Sequence, residues 1–203
     1  MQPDNVVAPP LRPDFAAIAQ WVKPGSKVLD LGCGDGSLLH YLERARSIRG
    51  YGVEIADDDI VACIANHVNV SQSDLETGLA GFESNSFDYV ILSQTLQAMK
   101  NSERIIAEML RVGQEGIVTF PNFGYFLHRL QVLVGHMPSS RALPYQWYDT
   151  PNIHLCTIRD FENFCATHRV RILERVVMRS GSRVNLLPNL FGDLAVYRFE
   201  EQK

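Results

Sequence analysis

The residues best suited to do chemistry lie in one short run, Val28-Leu-Asp-Leu-Gly-Cys-Gly-Asp-Gly36. Gly32, Gly34 and Gly36 let the backbone turn sharply and let a ligand approach the main chain closely. An apolar run enters this turn and a helical pattern leaves it. The turn therefore belongs at the carboxyl end of a first strand, where doubly wound sheets bind nucleotides. Dinucleotide sites use a similar turn, G-x-G-x-x-G/A, whose third small residue allows close helix–strand packing. Counted from Gly32, that third place is Ser37. Asp30 before the loop and Asp35 inside it would repel a pyrophosphate, but they suit a ligand with an ammonium and a sulfonium charge.

S-adenosylmethionine (SAM) has both charges and no phosphate. Further residues extend such a site in chain order. Gly52-Val-Glu54 ends a second strand 18 residues past Gly36. A carboxylate there can accept bonds from both ribose hydroxyls, and Ile55 follows it. Gln72-Ser-Asp-Leu75 comes after a third strand, where Asp74 can accept from the exocyclic amine of adenine and Leu75 can cover the ring. Phe87-Asp-Tyr-Val-Ile-Leu-Ser-Gln-Thr-Leu96 leads into a loop facing the methyl-bearing end. The resulting set is Asp30, Gly32, Cys33, Gly34, Glu54, Ile55, Ser73, Asp74, Leu75, Ser93 and Gln94, with SAM or its demethylated product S-adenosylhomocysteine (SAH) as ligand. Each carboxylate has a plainer alternative: Asp74 as the cap of a turn, Glu54 as a solvated strand end. The signal is specific as a set and modest in its parts.

No catalytic residue can be assigned. His154 and Tyr148, with Asp149 beside it, are the candidates for a base. The preferred reading has Tyr145, Trp147 and Tyr148 as a lid or a partner anchor and His154 bonded to backbone. Gln94 and Gln97 are neutral amides, suited to hydrogen bonding. The chain has no Asn-Pro-Pro-aromatic motif, and Pro121-Asn122 is not one. It also lacks G-x-S-x-G, which argues against a serine acyltransferase. Cys33, Cys63, Cys156 and Cys165 have no metal-ligand spacing, so no metal is expected and the thiols read as reduced.

These residues need a scaffold, and the periodicity supplies one. Residues 1–12 hold three of the ten prolines and read as a loose arm. A helix should start near Asp14, a good N-cap type, with Phe15, Ile18, Ala19 and Val22 on one face. Strands are expected at Lys27–Leu31, Tyr51–Ile55, Val68–Ser71, Phe87–Leu92 and Gly116–Phe120. Helices at Ser37–Arg46, Asp57–His67 and Ser102–Val112 alternate with them. Later come an amphipathic helix over Phe126–Val134, a helix over Phe161–Ala166 opened by Thr157-Ile-Arg-Asp160, and closing strands at Val170–Met178 and Leu194–Phe199. Strands separated by helices mean βαβ units. The expectation is therefore an α/β protein with a doubly wound, mainly parallel, seven-stranded sheet. One domain should run over residues 13–203, with the segment 135–157, rich in Pro, Ser and aromatics, as a lid or partner element.

The bulk numbers agree. Hydrophobic residues at 46% and charged residues at 21% fit a globular protein of 203 residues with a real core. A formal net charge of −4 argues against a duplex-binding role. The one basic stretch, Arg169, Arg171, Arg175, Arg179 and Arg183, reads as a solvated face. The first residues lack the basic start and apolar core of a secretory signal, and no apolar run approaches the roughly 20 residues of a membrane helix. Cytoplasm is the default expectation.

Over roughly residues 14–120 the chain resembles class I SAM-dependent methyltransferases. Taken together, Leu29–Gly36, Leu92-Ser-Gln-Thr-Leu-Gln97, Val118-Thr-Phe-Pro-Asn-Phe-Gly124 and Leu143–Phe161 are similar to the MetW family of bacterial methionine biosynthesis. That resemblance implies a role beside homoserine O-acyltransferase (MetX), with the methyltransferase fold serving to bind and regulate the partner. A face built from Phe126, Leu130, Tyr145 and Trp147 would then be the interface, since aromatics concentrate in interface cores. The alternative is a working methyltransferase on a small metabolite.

Overall fold

Strands that are apolar at every position need both faces covered, and the chain supplies two layers to cover them. The computed structural model describes residues 12–140 and 142–202. Apart from Arg12, the expected N-terminal arm lies outside the described residues. The strands are β1 (Lys27–Leu31), β2 (Arg49–Glu54), β3 (Val70–Gln72), β4 (Phe87–Ser93), β5 (Gly113–Pro121), β6 (Val170–Arg179), β7 (Ser182–Arg183) and β8 (Leu194–Glu201). They form one sheet in the order β3-β2-β1-β4-β5-β8-β6-β7. The first five are mutually parallel, and β8 runs antiparallel between β5 and β6. The doubly wound α/β expectation holds, with an eighth strand added. That strand, β7, is two residues long and folds back antiparallel on the end of β6, too short to leave a periodic signal.

The helices are α1 (Pro13–Trp21), α2 (Ser37–Arg46), α3 (Asp57–Ala65), α4 (Ser102–Val112), α5 (Phe126–Leu133), α6 (Ile158–Thr167) and α7 (Pro188–Phe191). Alternate strand residues feed opposite layers. Leu29, Val90 and Leu92 pack with Ile105 and Met109 of α4 and Phe161 of α6. Val28 and Ile91 pack with Ile18 of α1 and Leu39 and Leu42 of α2. Truncating any of these fully buried side chains costs about 2–5 kcal/mol, a large share of a typical domain's stability.

Local chemistry sets the helix ends. Thr157 Oγ1 accepts the Asp160 N–H at 3.2 Å and Asp160 Oδ2 accepts the Thr157 N–H at 3.1 Å, so α6 opens with the expected capping box. Asp14 does not cap α1. It lies inside the first turn with its side chain fully buried, because Pro13 takes the first helical position and Asp14 faces the sheet. Asn122, also fully buried, ties β5 to two helices. Its amide donates to the carbonyls of Gly192 (2.8 Å) and Asn189 (3.2 Å), and its oxygen accepts from Gly124 (3.0 Å) and Ile158 (3.2 Å). The chain moves outward from β1 to β3, then returns beside β1 as β4. The carboxyl ends of β1 and β4 thus flank the topological switch point, where such sheets hold ligands.

Candidate functional site

The glycine turn sits at that switch point. Gly32, Gly34 and Gly36 have φ of +65°, +54° and +77°, a region L side chains rarely adopt. The N–H groups of Gly32 and Cys33 both donate to the Val53 carbonyl (2.8 and 3.1 Å), which fastens the turn to β2. A β-carbon on Gly36 would press on Val68 and Cys63, whereas one on Gly34 would meet no atom of the described residues within 4 Å. The turn is therefore closed by packing at Gly36 and open at Gly34. Cys33 points inward: its Sγ lies 3.7 Å from that of Cys63, which in turn donates to the Gly34 carbonyl at 3.0 Å. Burial raises the pKa of both thiols, so they stay neutral, and Cys33 offers the crevice only its backbone.

Glu54 ends β2 with 8% exposure. Its Oε2 accepts the Gly34 N–H at 2.8 Å, and its Oε1 accepts those of Ile55 (2.7 Å) and Ala56 (3.1 Å). Three of about four lone-pair sites are used, leaving room on Oε2 for a hydroxyl donor. Ile55 stands 58% exposed beside it, an aliphatic surface at the end of β2. Ser73 donates its N–H to the Glu54 carbonyl at 3.0 Å. Asp74 is exposed and accepts the Glu76 N–H at 2.8 Å, capping a 3-10 turn over Leu75–Thr77. Half-buried Leu75 packs against the α4-side core.

At the end of β4, Gln94 holds φ +56°, its N–H shared between the carbonyl (2.9 Å) and Oγ1 (3.0 Å) of Thr119. Left-handed backbone in a residue with a β-carbon costs roughly 1–2 kcal/mol and clusters at ligand sites. The sheet register places Asp30 beside Ile91 and Ser93 beside Thr119, so Asp30, Ser93 and Thr119 share the face under α1. Asp14 comes down onto that face from α1. Its Oδ2 accepts from Arg12 Nη2 (2.5 Å), Ser93 Oγ (3.1 Å) and Thr119 Oγ1 (3.4 Å). Arg12 Nη2 also donates to Ser93 Oγ at 2.6 Å. Asp30, 2% exposed, is left with an Oδ1 that has no partner among the described residues. Burial lifts its carboxyl from the ordinary 3.8 to about 7, with Asp14 and Glu54 adding to the rise and Arg12 opposing it.

The structure thus gathers Asp30, the glycines, Glu54, Ile55, Ser93 and Gln94 at the carboxyl ends of β1, β2 and β4, with the Ser73 N–H tied to the Glu54 carbonyl. Sequence reasoning missed Arg12, Asp14 and Thr119. The only signal was a carboxylate on an otherwise apolar helix face, and capping preference obscured it. The donor set there is an open glycine, a nearly buried carboxylate at the end of β2, an exposed aliphatic side chain, a buried carboxylate with one oxygen unpartnered among the described residues, and a guanidinium.

A separate cavity of about 480 Å³ opens on the other face of the sheet, between α4, α6 and the end of β5. Leu96, Gln97, Ile106, Phe120, Phe161 and Phe164 line it. His154 stands at its wall with Nε2 3.3 Å from the Lys100 carbonyl, the backbone bond expected of it. Tyr145, Trp147 and Tyr148 are exposed, Trp147 by 73%. The arginines of the basic stretch are mostly spent: Arg171 pairs with Glu200, Arg175 with Glu162, Arg183 donates to Gln20 Oε1, and Arg179 lies over Tyr125 and Phe126. Among the described residues no group of three metal-ligating side chains occurs, and no helix is long and apolar enough to cross a membrane.

Comparison with known proteins gives three results. The sequence profile of a family described as methionine biosynthesis protein MetW matches residues 12–199. A bifunctional methionine biosynthesis protein MetXA/MetW of Rhodopirellula baltica is 36% identical over 206 residues, covering 95% of this chain. The chain spans only 33% of that relative's length. The fold matches a SAM-dependent methyltransferase of Thermotoga maritima (TM-score 0.67, 17% identity, 94% of this chain and 88% of that one). It also matches one of Mesorhizobium loti (TM-score 0.67, 13% identity, 93% and 97%) and the [4+2]-cyclase SpnF (TM-score 0.65, 16% identity, 93% and 80%). The cyclase shows that this fold by itself does not dictate methyl transfer.

Proposed function

Because the chain belongs to the MetW family of methionine biosynthesis proteins, we propose that it is a SAM- or SAH-binding accessory subunit of homoserine O-acyltransferase. The observation that carries the ligand half is the arrangement of side chains at the strand ends. A glycine turn open at Gly34 lies between an inward Glu54 and an unpaired, buried Asp30. SAM, when bound, would supply an electrophilic methyl group or simply report the level of the pathway's downstream product. Asp30 would take the ammonium, Glu54 the ribose, and Ile55 with Leu75 the adenine faces. Asp74, now capping a turn, keeps one carboxylate oxygen for the adenine amine.

The partner half rests on two supports. A relative joins MetXA and MetW in one chain. The outer face of α5 and the segment after it leave Leu130, Leu133, Val134, Tyr145, Trp147 and Tyr148 in water. Clustered exposed aliphatic and aromatic side chains mark interaction surfaces. We assign residues 13–203 to one functional unit, with 135–157 as its partner segment. Co-purification with the acyltransferase from the same organism tests this. Acyltransferase activity should change when this chain is added, and change again with SAM. No association and no effect on activity would end the reading.

A second reading, favoured by the fold shared with SAM-dependent methyltransferases, is a methyltransferase on a small metabolite. Labelled SAM with a cell extract decides it: transfer of label supports catalysis, and intact SAM binding without transfer removes it.

A further inference from the structure

We propose that the cavity between α4, α6 and the end of β5 is a receptor for a small neutral aromatic molecule carrying one N–H or O–H donor. Such a site stands whether or not the strand ends hold an adenosyl ligand. Along β5, Thr119 turns its side chain to Ser93 and Asp14 under α1, and Phe120, the next residue, turns to the layer of α4 and α6. The cavity, about 480 Å³, therefore opens across the sheet from Asp30 and Ser93, with room for a molecule of one or two rings.

The wall of the cavity is aromatic. Phe120, Phe161 and Phe164 line it, with ring centroids 5.1 Å apart for the first pair and 6.4 Å for the second. Leu96 and Ile106 complete the apolar surface. A flat ring placed there gains edge and face contacts with its neighbours that an aliphatic group lacks. The charges at the margin are of both signs, Lys100 against Glu103 and Asp160. Asp160 is held in the capping box of α6, and Glu103 faces His168 Nε2 at 3.5 Å. A charged ligand would lose its hydration without a matched partner, so a neutral one fits.

Gln97 supplies the polar contact. Its Nε2 donates to the Gln94 carbonyl at 2.6 Å, and its own carbonyl accepts the N–H groups of Ile153 (2.8 Å) and His154 (2.9 Å). Its Oε1 is buried and has no partner among the described residues. Buried acceptors are almost always satisfied, so this oxygen on a residue of the cavity wall marks where a ligand's donor docks. Gln97 also joins the cavity to Gln94 at the end of β4 and to the 135–157 segment, so an occupant bears on both.

The test is calorimetry of the full chain with two probes of one shape: indole, which has an N–H, and benzofuran, which does not. Indole should bind about five- to hundredfold tighter, from satisfying a buried acceptor. Gln97→Met, which keeps the bulk and removes the oxygen, should bring indole down to the affinity of benzofuran and leave benzofuran within about twofold. Gln97→Glu keeps an acceptor oxygen and should retain the preference for indole. Phe164→Ala, at a half-buried ring, should weaken both probes about three- to tenfold. SAH in excess should leave indole binding in place. Thermal midpoints show which variants fold, and Phe164→Leu stands in if Phe164→Ala does not. Failure to bind either probe, equal wild-type affinities, a preference that survives Gln97→Met, or displacement of indole by SAH would each overturn the proposal.

Discussion

Asp30→Asn in the unliganded protein exposes how the site is built. The carboxyl's rise from 3.8 to about 7 means that the folded chain keeps a proton the unfolded chain has lost between those pH values. Stability must therefore fall as pH rises from about 4 to 7 and level off above, because the native state binds more protons throughout that window. At ~1.4 kcal/mol per pH unit, ionising Asp30 costs the fold roughly 4 kcal/mol above neutrality. Asparagine matches the shape without the charge, and adds an amide donor whose lack of a partner costs about 1–3 kcal/mol. The variant should thus be more stable than wild type by roughly 1–3 kcal/mol at pH 8, or on the order of 3–10 °C in Tm for a chain of this size. The difference should change sign near pH 5, and at pH 4 the variant should be the less stable protein by about 1–3 kcal/mol, the cost of its unpartnered amide. Urea unfolding at pH 4.5, 6, 7 and 8 measures it. In the wild type SAH should bind more tightly as pH climbs toward 7, since the ionised form pairs with the ammonium; the variant should lack this slope. Arg12, Asp14 and Glu54 are present in both proteins, and their interaction with the Asp30 charge, which only the wild type has, is part of the measured difference. A wild-type-minus-variant curve that stays flat across the series would refute the reasoning.

Gly34→Val should abolish SAH binding, because its side chain would fill the open space over the turn and its φ of +54° disfavours a β-branched residue; calorimetry and the thermal midpoint together show whether folding survives. Glu54→Ala and Asp74→Ala should each weaken SAH by about 1.5–3 kcal/mol by calorimetry, the range for bonds to charged groups. Glu54→Ala should also lower Tm, since it strands the N–H groups of Gly34, Ile55 and Ala56. Asn122→Ala should cost about 2–4 kcal/mol of stability in denaturant melts, because four buried bonds lose their common partner. Leu130→Glu combined with Trp147→Ala should end co-purification with the acyltransferase while SAH affinity is unchanged.

The sequence by itself determined the scaffold. Strand β1 and helices α2 and α4 fall on their expected residues because burial on both sheet faces forces continuous Val, Ile and Leu, while half-exposed helices leave a period near 3.6. It also determined the turn, since glycines with positive φ announce themselves by type. Boundaries were less legible: β5 runs from Gly113 to Pro121, because β8 and β4 extend its pairing beyond the apolar stretch. Tertiary structure alone decided which polar residues meet. Asp14, Ser93 and Thr119 are 79 and 105 positions apart in the pairs that bond, and no local pattern connects them. It decided, too, that Asp14 is buried while Asp74 is exposed, though both looked like caps. A side chain's environment depends on what the fold packs against it, and that is a property of long-range register, which residue type and spacing do not encode.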